Sequence, residues 1–219
     1  MAGPDLASVR ASLAADGYAV SNGTLEQVER AVQMEHLLFR AQGAKANGSV
    51  KHLRPYITKD APPRSLSAVY GLGAQPLHTD GAHLLEPPDV TVLYSSSPTP
   101  TGTAILKPGS GTCSTPVPEA VREGVFVVRG NGFSFLASAY SGRRFRFDPV
   151  TMSPGDQMAR QAVAWFQEQR DMAVIHQWDQ EEQLLFIDNR QALHAREAVV
   201  TDSETRVLGR LSLNFVEET

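Results

Sequence analysis

The sequence predicts a mainly β protein of α+β type, a sandwich or barrel of short strands with helices packed outside it. Two observations carry this reading. Short stretches rich in apolar and β-branched residues recur at 66–72, 90–96, 103–107, 125–129, 132–137, 143–147, 173–177, 183–187 and 207–216. Proline and glycine punctuate them at Pro87-Pro88, Pro98, Pro100, Gly109, Gly130, Gly142 and Pro149, as turns between strands require. Only three segments carry a helical period.

The first helix is expected at 5–16, with Leu6, Val9 and Leu13 on one face and Gly17 as a stop. The second is expected at 24–41. It opens with Thr24-Leu-Glu-Gln27, a capping box, and aligns Leu25, Val28, Val32 and Leu38. The third is expected at 153–170, with Pro154 at its first position and Met158, Ala162, Trp165 and Phe166 as its apolar face. Trp165 and Phe166 are read as core residues. Segment 43–65 holds Gly43, Gly48, Pro55, Pro62 and Pro63 without a clear period, and reads either as a loop folding over a site or as a plain surface connection.

The 219 residues suit one domain, because a single core grows to roughly 250–300 residues before a chain divides. With 42% apolar residues the chain has enough matter for a sizeable core, so wholesale disorder is excluded. A net charge of −4 lacks the footprint of a phosphate-backbone binder, and no nucleic-acid partner is expected. Cys113 is the single cysteine, so no internal disulfide forms; no basic or histidine neighbour activates it, and it reads as a bystander. No secretory signal and no membrane-spanning run is visible, and the expected location is cytoplasmic. Gly43 and Gly48 outline a P-loop but its lysine is missing, and no Gly-x-Ser-x-Gly elbow is present.

The chemistry concentrates in His78-Thr-Asp80. On an extended chain side chains alternate, so His78 and Asp80 converge on one point as two ligands of a metal. His194, following the apolar run 184–187, is the best third ligand. Two histidines and one carboxylate leave three positions of a metal open, the arrangement of non-haem Fe(II) oxygenases. A structural zinc site instead takes four protein ligands, usually with cysteines. His83 is the nearest rival ligand, but its odd spacing from His78 turns it away on a regular strand, and a substrate contact is the other reading. Asp188 and Asn189 are expected to fix the turn presenting His194, and Arg196 to make a structural ion pair. Beyond His194, Arg206 and Arg210 lie with Leu208 on one face of a strand whose other face carries Leu211, Leu213 and Phe215. Buried arginines call for anions, and a guanidinium captures a carboxylate with two hydrogen bonds.

These residues resemble the Fe(II)/2-oxoglutarate-dependent dioxygenases of the taurine dioxygenase and clavaminate synthase type. The resemblance rests on His78-Thr-Asp80, Pro87-Pro88-Asp-Val-Thr-Val-Leu93, Thr101-Gly-Thr103, Arg144-Phe-Arg-Phe-Asp148, Asp188-Asn-Arg190 with Leu193-His194-Ala-Arg196, and Arg206 with Arg210. It covers about 66–216. It implies a double-stranded β-helix, or jelly-roll, core over 66–216, with the N-terminal helices and strand of 1–42 and the long helix outside. It implies Fe(II) held by His78, Asp80 and His194, with 2-oxoglutarate and O2 as co-substrates. Arg206 would hold the distal carboxylate of 2-oxoglutarate with Thr103 or Thr101, and Arg210 would face the co-substrate or the primary substrate. The implied reaction hydroxylates an unactivated C–H bond of a small polar, amino-acid-like molecule and releases succinate and CO2. The alternative is a cupin-like metal-binding barrel without 2-oxoglutarate chemistry, which keeps the ligands but does not need Arg206. A third reading is a binding protein that has kept the fold and lost the activity, and it would not need the ligands intact.

Overall fold

In the computed structural model the described residues are 3–35, 38–42, 50–109, 116–200 and 207–216. The first half carries α1 (Leu6–Asp16), β1 (Tyr18–Asn22), α2 (Leu25–Met34), β2 (Phe39–Ala41), β3 (Lys51–Leu53), α3 (Leu66–Tyr70), β4 (Val90–Ser95) and β5 (Thr99–Leu106). The second half carries α4 (Glu119–Glu123), β6 (Phe126–Arg129), β7 (Ser134–Ala137), β8 (Tyr140–Ser141), β9 (Arg144–Phe145) and β10 (Met152–Pro154). It ends with α5 (Gln157–Glu168), β11 (Val174–Trp178), β12 (Gln183–Asp188), β13 (Leu193–Arg196) and β14 (Leu208–Phe215).

The structure is mostly sheet with few helices, as the sequence predicts. A large antiparallel sheet runs β1-β12-β4-β14-β2, with β3 also paired to β14. A small sheet, β11-β5-β13, faces it, and β10-β6-β7 and β8-β9 form two further pieces. Strand alternation sorts the large sheet into two buried faces. Val90, Val92, Leu184, Phe186, Leu211 and Leu213 pack against Leu6, Val9 and Leu13 of α1 and Val28 and Val32 of α2. The intervening residues Leu93, Leu185, Ile187 and Leu208 point the other way, onto Ile105 and Trp178 of the small sheet. The small sheet repeats this pattern: Ala104, Leu106, Leu193 and Ala195 turn outward onto Ala159, Ala162 and Phe166 of α5. The order of layers is helices, large sheet, small sheet, helix, and the site lies between the sheets.

The helix signals hold where local capping is strong. Asp5 accepts from the Ala7 and Ser8 amides and Gly17 stops α1 at φ 81°. Thr24 and Gln27 form the expected capping box of α2. That helix ends at Met34, however, and 39–41 is a strand: Phe39 is fully buried and its backbone pairs with Phe215. The third helix begins at Gln157, capped by Asp156. Pro154 is not its first residue but closes the edge strand β10, where a missing N–H breaks no ladder bond on the open side. Its buried face is Ala159, Ala162, Trp165 and Phe166.

The expected strand at 66–72 is the short helix α3. Ser65 accepts from the Ala68 amide and Gly71 ends the helix at φ 52°. Within 43–65 the described part contains β3 and a turn of 3₁₀ helix at Thr58–Asp60. Strand β5 starts earlier than expected, at Thr99, where its register with β11 shifts around Pro100. Among the described residues no helix is long and apolar enough to cross a membrane. Cys113 and His36 lie outside the described residues.

Candidate metal centre

His194 sits inside β13, and its backbone exchanges two 3.0 Å hydrogen bonds with that of His78. The two imidazoles are therefore delivered from opposed backbones, with ring centroids 4.5 Å apart. Asp80 does not continue a regular strand. The chain turns at Gly81, φ 68°, and Asn189 fastens the turn. Asn189 Oδ1 accepts from the Asp80 amide at 2.7 Å, while its Nδ2 donates to the carbonyls of Asp80 and Pro88, both at 2.9 Å. Asp188 accepts from the Arg190 amide and guanidinium and from the Gln191 side chain, holding the β12–β13 turn from which Asn189 projects. The two residues fix the turn before His194 as the sequence predicts, and Asn189 also holds the carboxylate ligand's own backbone.

One ligand atom from each of His78, Asp80 and His194 falls within a group no wider than 4.8 Å, and all three residues are buried. Around an octahedral ion, adjacent donors lie about 3 Å apart, so a small inward movement closes the set. His78 Nδ1 lies 3.1 Å from the Pro76 carbonyl, which leaves Nε2 for a metal. His194 Nε2 lies 3.9 Å from Asp80 Oδ2. The donor set is two nitrogens and one oxygen on one side, and the other side opens on a cavity. These residues fit a divalent iron with open positions.

Two strands of the large sheet supply the donors around Asp80. Ser212 of β14 lies opposite Thr91 of β4, and Arg210 opposite Leu93, so Thr91 and Arg210 are diagonal neighbours on the inner face. Thr91 Oγ1 donates to Asp80 Oδ2 at 2.9 Å and Arg210 Nη1 to Oδ1 at 2.6 Å. Burial alone would raise the Asp80 carboxyl, but the Arg210 guanidinium, the two imidazoles and the Thr91 hydroxyl outweigh it and hold the group far below its ordinary range. Burial, then the neighbouring His78, pushes His194 down to about 3. Both histidine and aspartate are thus in the protonation states a metal requires.

The cavity measures about 430 Å³ and is lined by His78, Asp80, His194, His83, Thr103, Asp148, Thr151, Arg196 and Arg210, with 52–56, Pro62 and 64–67 along its other wall. Part of the expected loop 43–65 therefore does border the site. Thr103 Oγ1 accepts from the Trp178 indole at 3.0 Å and keeps its own proton to donate. Thr101, fully buried, instead accepts from the Val200 amide at 3.3 Å and does not line the cavity. His83 lies outside the ligand cluster but on the cavity wall, with its pKa lowered chiefly by burial. Arg206 lies outside the described residues.

Arg196 corrects an expectation. Among the described residues it makes no ion pair; its Nη2 donates to the carbonyls of Gly71 and Gly73 at 2.7 Å each, tying β13 to the end of α3. A guanidinium serves two convergent carbonyls as well as it serves a carboxylate. Thr91 and Asp148 fall within the stretches that carry the resemblance, but no role attaches to them there, and Thr151 is a residue type common in turns.

No family model and no curated protein matches the chain. Solved structures do. The asparagine oxygenase AsnO superposes with a TM-score of 0.67 at 18% identity, over 94% of this chain and 76% of that one. Another structure of asparagine oxygenase contains Fe(II), 2S,3S-3-hydroxyasparagine and succinate. PvcB, an Fe, alpha-ketoglutarate dependent oxygenase from an isonitrile synthetic pathway, gives 0.65 at 16% identity over 95% and 80%; it has also been solved from Pseudomonas aeruginosa. The non-heme iron oxygenase OrfP, solved with Fe and alpha-ketoglutaric acid, gives 0.62 at 19% identity over 97% and 79%. At these identities the likeness establishes architecture, and the chain is built on the fold shared by the Fe/alpha-ketoglutarate-dependent oxygenases.

Proposed function

We propose that the protein is an Fe(II)- and 2-oxoglutarate-dependent oxygenase that hydroxylates a small, polar, amino-acid-like substrate, and that its 219 residues form one such domain around a jelly-roll core. The observation that carries this is the buried His78, Asp80 and His194 cluster, open on one side to a cavity with carboxylate-binding donors. Bound there, iron with 2-oxoglutarate and O2 supplies oxidation of a C–H bond, with release of succinate and CO2. The remaining work belongs to the chain. His78, Asp80 and His194 hold the ion. Thr103 offers a free hydroxyl proton to the co-substrate's distal carboxylate, and Arg206 is its guanidinium partner. Arg210, anchored on Asp80, presents its remaining donors to a second carboxylate. The large sheet and the small sheet exclude water from two sides, which strengthens each of these charge interactions.

Two of the solved neighbours are complexes with hydroxylated amino acids, 3-hydroxyasparagine and (3S)-hydroxy-L-Arg, which supports the substrate class. A cupin-like metal protein would need neither the free Thr103 donor nor a guanidinium beside the carboxylate ligand. The test is anaerobic. Fe(II)-loaded protein is expected to develop a weak visible charge-transfer band on addition of 2-oxoglutarate, and full iron loading without a band refutes the reading. Arg206→Ala is expected to weaken 2-oxoglutarate binding far more than iron binding.

A further inference from the structure

The connection from Asp80 to β4, residues 81–89, contains no helix or strand, yet almost all of its carbonyls have partners. The Gly81 carbonyl accepts from the Leu84 amide at 2.8 Å, closing a turn through Ala82 and His83. Asn189 serves the far end: its Nδ2 donates to the Pro88 carbonyl and its amide to that of Asp89, both at 2.9 Å. Side chains from other segments serve the rest. Gln42 donates to the Glu86 carbonyl, and Arg144, which pairs with Asp89, donates to those of Pro87 and Pro88. Arg146 alone serves three. Its Nη1 donates to the Ala82 carbonyl at 2.6 Å and to that of Leu84, and its Nη2 donates to that of Leu85 at 3.0 Å. Backbone groups outside helices and sheets commonly turn to water; here one guanidinium gathers them.

Alternation along the chain produces this arrangement. Phe145 and Phe147 turn to the core, where both rings meet Phe166. Arg144 and Arg146 therefore turn the other way, onto the connection. The backbone of Phe147 pairs with that of Thr79, between His78 and Asp80, by a 2.8 Å bond from the Thr79 amide. The segment that carries Arg146 is thus anchored beside the metal centre itself.

Arg146 is a costly choice for fastening a loop. It is half-buried, makes no ion pair among the described residues and lies over the Phe135 ring, 5.2 Å from its centroid. Burial, then the neighbouring Arg144, lowers its pKa. Withdrawing a guanidinium from water without an anion is unfavourable, and carbonyls return only part of the loss. Its planar fork does reach three carbonyls that diverge around one turn, which the single point of a lysine ammonium does not.

The shape secured in this way is a wall of the cavity. His83 lies between the Ala82 and Leu84 carbonyls and lines the cavity, and its ring makes no hydrogen bond among the described residues. The backbone alone fixes its place. Asp80 is held differently, by Asn189 at its amide and by Thr91 and Arg210 at its carboxylate. Loss of Arg146 therefore bears on the wall and not on the ligand.

We propose that Arg146 is a positioning residue for the cavity: through the Ala82, Leu84 and Leu85 carbonyls it fixes the wall that carries His83, independently of the metal ligands. The proposal rests on the oxygenase reading and adds to it the side chain that keeps this wall closed to water.

The experiment uses the full chain, loaded with Mn(II) for binding and chemical modification and with Fe(II) for turnover. Arg146→Gln removes the charge; Arg146→Lys keeps the charge and removes the fork. Carbethoxylation of His83 by diethyl pyrocarbonate is read by peptide mass spectrometry against the exposed His52 of the same chain. Its rate is expected to rise about three- to tenfold in both variants, as a wall that opens locally would allow. Succinate release from 2-oxoglutarate in the absence of any amino acid is expected to rise at least about twofold, because water is no longer excluded. Mn(II) affinity is expected to stay within about threefold of the parent, since the contacts that orient Asp80 remain. Val28→Ala, on the buried face of α2, is the control for lost stability alone. An unchanged His83 rate, unchanged succinate release, an equal rise in Val28→Ala, or Mn(II) affinity lowered by about tenfold or more, the mark of a disturbed ligand shell, overturns the proposal. If Arg146→Gln does not fold, Arg146→Lys decides alone. A parent chain that binds Fe(II) but forms no visible band with 2-oxoglutarate under nitrogen refutes the oxygenase reading instead, so the two failures are distinguishable.

Discussion

The Thr91 hydroxyl, fully buried on a central strand, donates to Asp80 Oδ2 at 2.9 Å and so orients one of the three ligand groups. A carboxylate that rotates freely must be ordered when an ion arrives, whereas one already held gives up less freedom. Thr91→Val preserves shape and removes the donor. Iron affinity is expected to fall about ten- to hundredfold while the unfolding midpoint in urea stays close to that of the parent protein. Fe(II) or Mn(II) titration with a parallel denaturation curve checks this, and unchanged affinity would remove Thr91 from the support of the site.

Gly81 carries a different constraint. Its φ of 68° is unfavourable for any L side chain, and an added Cβ would come within 2.8 Å of Pro88 Cδ. Gly81→Ala is expected to cost about 1–3 kcal/mol of stability and to displace Asp80, so that metal binding is lost more completely than the fold. Circular dichroism melting beside metal titration separates the two effects.

Asp156 gives a pH signature remote from the cavity. Its carboxyl is held below the usual range first by the Ala159 amide at the start of α5 and next by the Val125 amide. A folded-state pKa below the unfolded one contributes stability that is present above the unfolded value and is lost as pH falls through the folded one. Asp156→Asn keeps a cap acceptor that does not titrate. The stability advantage of the parent over this variant is therefore expected to shrink steadily from pH 5 to lower values. A difference independent of pH would show that the cap does not depend on charge.

Phe186 tests the helix-facing core. It is fully buried on β12, with α1 and α2 packed over it. Phe186→Ala is expected to destabilise by about 3–5 kcal/mol in chemical denaturation. A loss below about 1 kcal/mol would mean that the helical layer collapses easily into the gap.

The parts of the molecule that were legible in the sequence are those specified locally. Leu6, Val9 and Leu13 share a helical face because of their spacing, and Thr24 with Gln27 announces its cap by residue type. His78, Asp80 and His194 are legible because so few side chains can ligate a metal. The misreadings have tertiary causes. Leu66, Ala68 and Tyr70 alternate like a strand, but Ser65 caps them into a helix. Leu38 continues a helical stripe, yet the chain leaves that helix and Phe39 beside it pairs with Phe215. Thr91 is an ordinary residue for a strand, and its contact with Asp80 comes only from the register that sets it there; Asn189 is legible as a turn residue, but its hold on the Asp80 backbone is not. Arg196 looked like half of an ion pair because the carbonyls of Gly71 and Gly73 carry no mark in a sequence.

Strand β4 lies between two packed layers, with Val90 and Val92 turned to the helices and Thr91 and Leu93 turned to the cavity. Its alignment with β12 and β14 is consequently a single setting with two outputs. Sliding it by one residue would present valines to the ligand cluster and a hydroxyl to the oily side of the sheet, damaging stability and chemistry together. Insertions and deletions are therefore expected to be tolerated in the connections around this strand and rejected within it.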